Sequence, residues 1–203
     1  MSQEQGLLVA LEGIDGCGKS TQARRLVARL SDLGYAAVTF REPGDSESGR
    51  ELRRIFVQGR DVGPEREMQL FLEDLRIDVR DNIAPALAAG KVVIMDRYYL
   101  SSVVYQGILG LGFERVLEAN EAIAPRPDLT LILDIGVEEA RRRICAARGS
   151  TNTFEGAEYL KRVRDAYIAF VDDERIFRVN AAGDSETVFE RLLELVLRRL
   201  REG

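Results

Sequence analysis

Five short apolar runs punctuate the chain, at Leu7 to Leu11, Ala36 to Phe40, Val92 to Met95, Leu129 to Leu133 and Ile176 to Val179. Each has the length and composition of a buried strand. Between them apolar residues recur at helical spacing over roughly 20–33, 65–88, 100–122, 137–147, 157–172 and 185–201. Strands separated by helices need crossover connections, and crossovers produce a parallel sheet with helices on both faces. The expected fold class is therefore α/β, a five-stranded parallel sheet in one domain spanning 1–203. Ligands of such sheets bind beyond the carboxyl ends of the strands. That rule directs attention to Glu12-Gly13, Arg41-Glu42-Pro43, Asp96-Arg97-Tyr98, Asp134 and Asn180-Ala181. Two stretches rich in turn-forming residues, Pro43 to Gly49 and Gly149 to Gly156, are expected to be mobile loops.

Composition narrows the chemistry. With 203 residues and 45% hydrophobic content the chain can bury one sizeable core. The formal charge of −5 disfavours a nucleic-acid partner, because polyanion binders carry a basic excess. No apolar run approaches the ~18 residues of a membrane span, and MSQEQGLLVALEG has no signal-peptide pattern, so a cytoplasmic protein without membrane attachment is expected. Cys17 and Cys145 are too far apart for a C-x-x-C motif. The absence of histidine removes Ser-His-Asp and Cys-His catalysis. What remains is Lys, Arg, carboxylates, backbone amides and hard cations.

Gly13-Ile14-Asp15-Gly16-Cys17-Gly18-Lys19-Ser20 fits G-x-x-x-x-G-K-[ST], between an apolar strand and a helix that begins at Thr21. The glycines let backbone N–H groups face phosphate oxygens and the helix N-terminus adds partial positive charge. Lys19 would reach the terminal phosphates, and Ser20 would ligate Mg²⁺. The phosphate loop, 13–21, indicates a nucleoside triphosphate user without naming the reaction.

LEGIDGCGKSTQ at 11–22, REPG at 41–44, DRYYLSSVVYQG at 96–107, RPDLTLILD at 126–134 and VNAAG at 179–183 together resemble the thymidylate kinase family, over nearly the whole length. The resemblance implies ATP and dTMP as substrates, Mg²⁺, a homodimer, an acceptor-binding region at about 41–80 and a mobile lid at about 141–156. By the same resemblance Asp96 would help hold Mg²⁺, and Arg97 would lie where donor and acceptor phosphates meet, a place suited to its rigid, permanently charged fork. A plain Asp-Arg ion pair capping the strand is the alternative for these two. Asp15 would meet the acceptor 3′-hydroxyl or a magnesium-bound water; Arg41 and Pro43 would line the monophosphate and sugar site. Ser101 and Tyr105 are four apart, as are Ser102 and Gln106, so two polar pairs can face one pocket. The resemblance gives Ser102 the pyrimidine edge, Tyr105 the deoxyribose, and the turn at Ala181 the adenine.

Two departures stand out. Gly16 occupies the loop position where some members carry an activating Arg, so the lid must supply one; Arg141 and Arg148 are seven apart and share a helix face, and Arg148 is the candidate. Arg142 and Arg143 are expected to point elsewhere. Phe71 fits the family's base-stacking residue, but the Arg expected four residues on is Leu75, and Arg76 lies about 140° from Phe71 on an ideal helix. Either the helix is adjusted to bring Arg76 in, or the base is read differently. The expected reaction is ATP + dTMP to ADP + dTDP; a kinase for another nucleotide or deoxynucleoside, or a non-catalytic ATP-binding module, are the rivals.

Overall fold

The computed structural model describes residues 6–148, 156–172 and 174–202, with the side chains of residues 147 and 148 left out. Five strands, β1 (Leu7–Glu12), β2 (Ala37–Arg41), β3 (Val92–Asp96), β4 (Leu129–Asp134) and β5 (Ile176–Asn180), form one parallel sheet in the order β2-β3-β1-β4-β5. All five lie where the apolar runs predicted them. Every residue of β3 and β4 is buried, as expected of central strands covered on both faces. The chain winds from β1 to one side through β2 and β3, then crosses to β4 and β5. The reversal beside β1 is the crevice-forming point of such sheets. Register brings Leu11 opposite Asp96, Asp96 opposite Arg41, and Asp134 opposite Asn180. The strand-end residues singled out above therefore stand side by side along one edge.

Nine α-helices occur among the described residues: α1 (Lys19–Asp32), α2 (Glu47–Gln58), α3 (Pro64–Asp78), α4 (Ala84–Ala88), α5 (Tyr99–Gln106), α6 (Phe113–Glu121), α7 (Val137–Arg148), α8 (Ala157–Ile168) and α9 (Ser185–Glu202). The helix expected over 65–88 is α3 and α4 joined by a π-helical turn, Val79–Ile83. Pro85 follows that turn, and having no N–H to donate it is accommodated by the widened ladder. The helix expected over 100–122 divides at Gly110 and Gly112, whose φ of 98° and 82° end the helical path.

Helix α2 was not expected, and the stretch from Pro43 to Gly49 is not a free loop. Ser46 caps α2 by accepting the Gly49 N–H at 3.0 Å, so Glu47 to Gly49 form its first turn. Leu52 and Ile55 then bury against Leu70 and Phe71 of α3 in a small second core. The rest of the loop is held by Asp74 of α3, which accepts from Gly44 N at 2.7 Å and from Ser46 Oγ at 2.5 Å. Gly49 is required there because a Cβ would come within 2.3 Å of Gly44 O.

Candidate functional site

The phosphate loop leaves β1 and enters α1 through Gly18. Close approach excludes side chains at two places: a Cβ on Gly13 would lie 2.5 Å from Leu133 O, and one on Gly16 2.5 Å from Ala140 O. The loop is thus wedged between β4 and the start of α7. The Lys19 ammonium folds back into it, donating to Gly13 O and Ile14 O at 2.9 Å each and lying 3.4 Å from Cys17 Sγ. The Cys17 thiol is buried, which opposes attack by solution reagents.

Arg97 follows β3 with φ 69°, a left-handed conformation that costs a side-chain-bearing residue energy. A dense network holds it. Its guanidinium donates to Gly13 O at 3.1 Å, Ser101 Oγ at 3.1 Å, the Tyr167 hydroxyl at 3.3 Å and Asp15 Oδ1 at 2.6 Å. Beneath it lies Glu12, fully buried at the end of β1. Glu12 Oε1 accepts from Tyr98 N at 2.8 Å and Ser101 N at 3.1 Å; Oε2 accepts from Ser101 Oγ at 2.6 Å and from the Tyr167 hydroxyl at 3.1 Å. Burial pushes the Glu12 carboxyl above its ordinary value, while Ser101, Arg97, the Tyr98 amide and Lys19 pull it back. For Arg97 burial works against the charge, and Tyr105, Asp15, Tyr167 and Glu12 outweigh it, holding the guanidinium well above its usual value. Three elements distant in sequence meet here: the phosphate loop, the turn after β3, and α8.

Ser20, Arg41, Pro43 and Asp96 line one groove of about 770 Å³. Arg97 pairs with Asp15 at 2.6 Å, and Arg41 Nε is 3.9 Å from Asp96 Oδ2, so among the described residues the alternative of a tight Asp96–Arg97 pair capping the strand is not formed. Tyr105 is half-buried, its ring 5.7 Å from the Arg97 guanidinium carbon and 6.3 Å from the Tyr159 ring. Phe71 is buried against Phe56 at 5.9 Å. Ser102 and Gln106 are buried one helical turn apart, and Ser102 Oγ and Gln106 Oε1 have no hydrogen-bond partner among the described residues. Buried polar atoms left in that state are uncommon and need an explanation.

Over this arrangement the thymidylate kinase family model matches residues 11–192. The chain belongs to the thymidylate kinase family. A probable thymidylate kinase of Archaeoglobus fulgidus is 40% identical over 190 residues, covering 94% of each chain. The thymidylate kinase of Xylella fastidiosa strain M23 is 43% identical over 197 residues, 97% of this chain and 89% of the relative. That of Desulfotalea psychrophila is 44% identical over 164 residues, 80% and 81% respectively.

Against the thymidylate kinase pattern three expected residues are placed differently. Helix α3 is regular through the second departure: Leu75 takes the inward position and is buried, and Arg76 is exposed, so Arg76 is not brought to Phe71. Ser101 does not face a pocket with Tyr105, because its hydroxyl is engaged by Glu12, Arg97 and Tyr167. On α7, Arg143 is not directed away: it reaches the turn after β5, 3.4 Å from Ala181 O and 3.5 Å from Gly183 O. Arg141 lies 3.7 Å from Glu138. The Arg148 side chain and residues 149–155 lie outside the described residues.

Sequence reasoning noticed Asp134 only as a strand end. It is gripped by Arg164 of α8 at 2.5 and 2.9 Å and by Arg178 of β5 at 2.6 and 2.9 Å, tying α8 to the sheet. Burial raises its carboxyl, and the two guanidinium partners more than offset this, so it stays below the ordinary range. Glu42 is the opposite case. Burial, then Asp74 and Asp78 beside it, push its carboxyl well above the usual range. A raised carboxyl stabilises the fold only while protonated, so its contribution is present at acid pH and fades as pH rises through the folded value. Glu42→Gln should therefore melt above the wild type at pH 8, by a few degrees for about 1 kcal/mol, with the gap closing near pH 5. Melting curves across that range check this; a gap that widens toward acid pH would contradict it.

Proposed function

We infer that the protein transfers the γ-phosphoryl group of ATP to dTMP, giving ADP and dTDP. The observation that carries the reading is the convergence of Lys19 and Arg97 on the same Gly13 carbonyl, within a family match over residues 11–192. Two cations, one from the start of α1 and one from the turn after β3, thus sit at one point, where phosphate charge would be shared. The donor triphosphate would lie along residues 13–21, with the adenine near Ala181. The monophosphate would lie toward Arg41 and Pro43.

Ser20 and Asp96 would hold Mg²⁺, since they line one groove and offer the hard oxygen donors this cation takes. When bound, the ion neutralises charge on the phosphates. The attacking oxygen belongs to a phosphate whose second pKa is near 6, so it is already anionic at neutral pH and no general base is needed. The chain's work is then alignment and charge stabilisation: Lys19 and Arg97 hold oxygens of the transferred group, Asp15 holds Arg97, and a lid arginine, with Arg148 the candidate, completes the set. A cytoplasmic homodimer belongs to the same reading, on the family resemblance. No helix among the described residues is long and apolar enough to cross a membrane.

Steady-state kinetics with dTMP, dUMP, dCMP, dGMP and dAMP at fixed Mg·ATP test the assignment. The specificity constant should be highest for dTMP. A higher value for another base would transfer the assignment to that nucleotide, and no acceptor-dependent ADP release would leave an ATP-binding module.

A further inference from the structure

A second pocket, of about 140 Å³, shares no lining residue with the groove beside the phosphate loop. Its floor is a row across the sheet. Ala10 of β1 is in register with Thr130 of β4, and Thr130 with Ile176 of β5, so the three side chains share one face. Ala10 and Thr130 are small, which leaves room beneath Leu100 of α5, Leu117 of α6 and Phe170. The space suits one aromatic ring, since a cavity of about 150 Å³ lined by aliphatic and aromatic side chains takes up benzene. Thr130 is 5% exposed, and its hydroxyl makes no hydrogen bond among the described residues. At the mouth Arg126 is engaged by Glu121 at 2.5 Å, and Asp172 turns Oδ1 to the amides of Glu174, Arg175 and Ile176. The exposed Arg175 guanidinium has neither an ion pair nor a hydrogen bond among the described residues. Apolar walls, a hydroxyl at the floor and an unengaged cation at the entrance suit a single ring that carries a carboxylate.

The roof of this pocket connects it to the candidate site. Tyr98 and Tyr99 border it, with ring centroids 4.8 Å apart. Tyr98 follows Arg97 directly; its amide donates to Glu12 Oε1 at 2.8 Å and its hydroxyl to Pro125 O at 3.1 Å. A ring lodged against Tyr98 therefore presses on the residue next to Arg97, whose φ of 69° depends on its surroundings. We propose that this pocket is a regulatory site for a monocyclic aromatic carboxylate, whose binding shifts Tyr98 and with it Arg97. The site does not depend on which nucleotide is the acceptor, whereas its effect on turnover rests on the phosphotransferase reading.

Benzoate is the probe, titrated by calorimetry into the full chain without nucleotide, beside acetate, which has the charge without the ring, and benzyl alcohol, which has the ring without the charge. Benzoate should bind at about 1 mM or tighter, within reach of a ligand of about nine non-hydrogen atoms. Each control should bind roughly tenfold more weakly. Leu117→Trp fills the pocket from α6 and should abolish binding. Arg175→Gln alters an exposed side chain without a partner, so it covers misfolding of the first variant; it should reduce benzoate to the level of benzyl alcohol. Saturating benzoate should lower kcat roughly tenfold in the wild type, with KM for ATP unchanged, and should have no effect on Leu117→Trp. Benzoate binding no tighter than that of acetate, or undiminished in the folded variants, overturns the site. Binding in the pocket that leaves kcat unchanged overturns its regulatory role. Binding in the pocket by a protein that releases no ADP with any acceptor leaves the site standing and fails the phosphotransferase reading.

Discussion

Lys19→Ala should reduce turnover by roughly 10³-fold or more while the melting temperature changes little. The size follows from removing a full charge aimed at the transferring group, which is worth more than the 10²–10³ lost with one neutral oxyanion donor. The small stability effect follows from its contacts: among the described residues the ammonium hydrogen-bonds to Gly13 O, Ile14 O and Cys17 Sγ, all within the phosphate loop. Coupled ADP-release kinetics and a thermal melt of the same preparation separate the two effects. Near wild-type turnover would end the phosphotransferase reading, and a large drop in melting temperature would show that Lys19 holds the loop together.

Glu12→Ala is expected to damage both stability and catalysis. Four donors converge on this carboxylate, from Tyr98 N, Ser101 N, Ser101 Oγ and the Tyr167 hydroxyl. Removing the acceptor leaves them buried and unpaired, at about 1–3 kcal/mol for each group that finds no substitute, so a loss on the order of 3–5 kcal/mol is expected. Three of these donors, from Tyr98 and Ser101, follow directly on Arg97, whose φ of 69° is a conformation that persists only where its surroundings enforce it. The guanidinium should then lose its alignment, and turnover should fall by about 10²-fold or more, because small misplacements of a charge-stabilising group are costly. Glu12→Gln keeps one acceptor oxygen and should lie between the two. Chemical denaturation and kcat measured on both variants check the order. An alanine variant as stable and as active as the wild type would remove Glu12 from the network's centre.

Much of this arrangement was legible along the chain. The five strands and the phosphate loop were read within a residue or two, and the juxtaposition of Glu12, Asp96, Arg41 and Asp134 followed from the rule about strand ends. Helix α2 was legible too, in Ser46 as a cap and in Leu52 and Ile55 at helical spacing, but the turn-forming residues before it obscured its start. The two glycines that divide the helix expected over 100–122 carried a visible signal of the same kind. Arg143 carried none: its neighbours in the chain do not reveal that the turn after β5 lies within its reach.

Periodicity, caps and the glycine-lysine loop are properties of consecutive residues, so the sequence alone determines the elements, the parallel α/β class and the family. The partners of a polar side chain are decided by what the fold brings near it. Glu12 meets Tyr98 across 86 positions and Tyr167 across 155, and Gln106 meets Glu67 across 39. Sequence spacing left Ser101 and Ser102 as equivalent acceptor contacts; packing gave the first to the Arg97 network and left the second without a partner among the described residues. It likewise settled that Leu75 and not Arg76 faces inward, since a regular helix can turn only one of two consecutive residues to the core. Which buried polar atom finds a partner is therefore decided by tertiary contact.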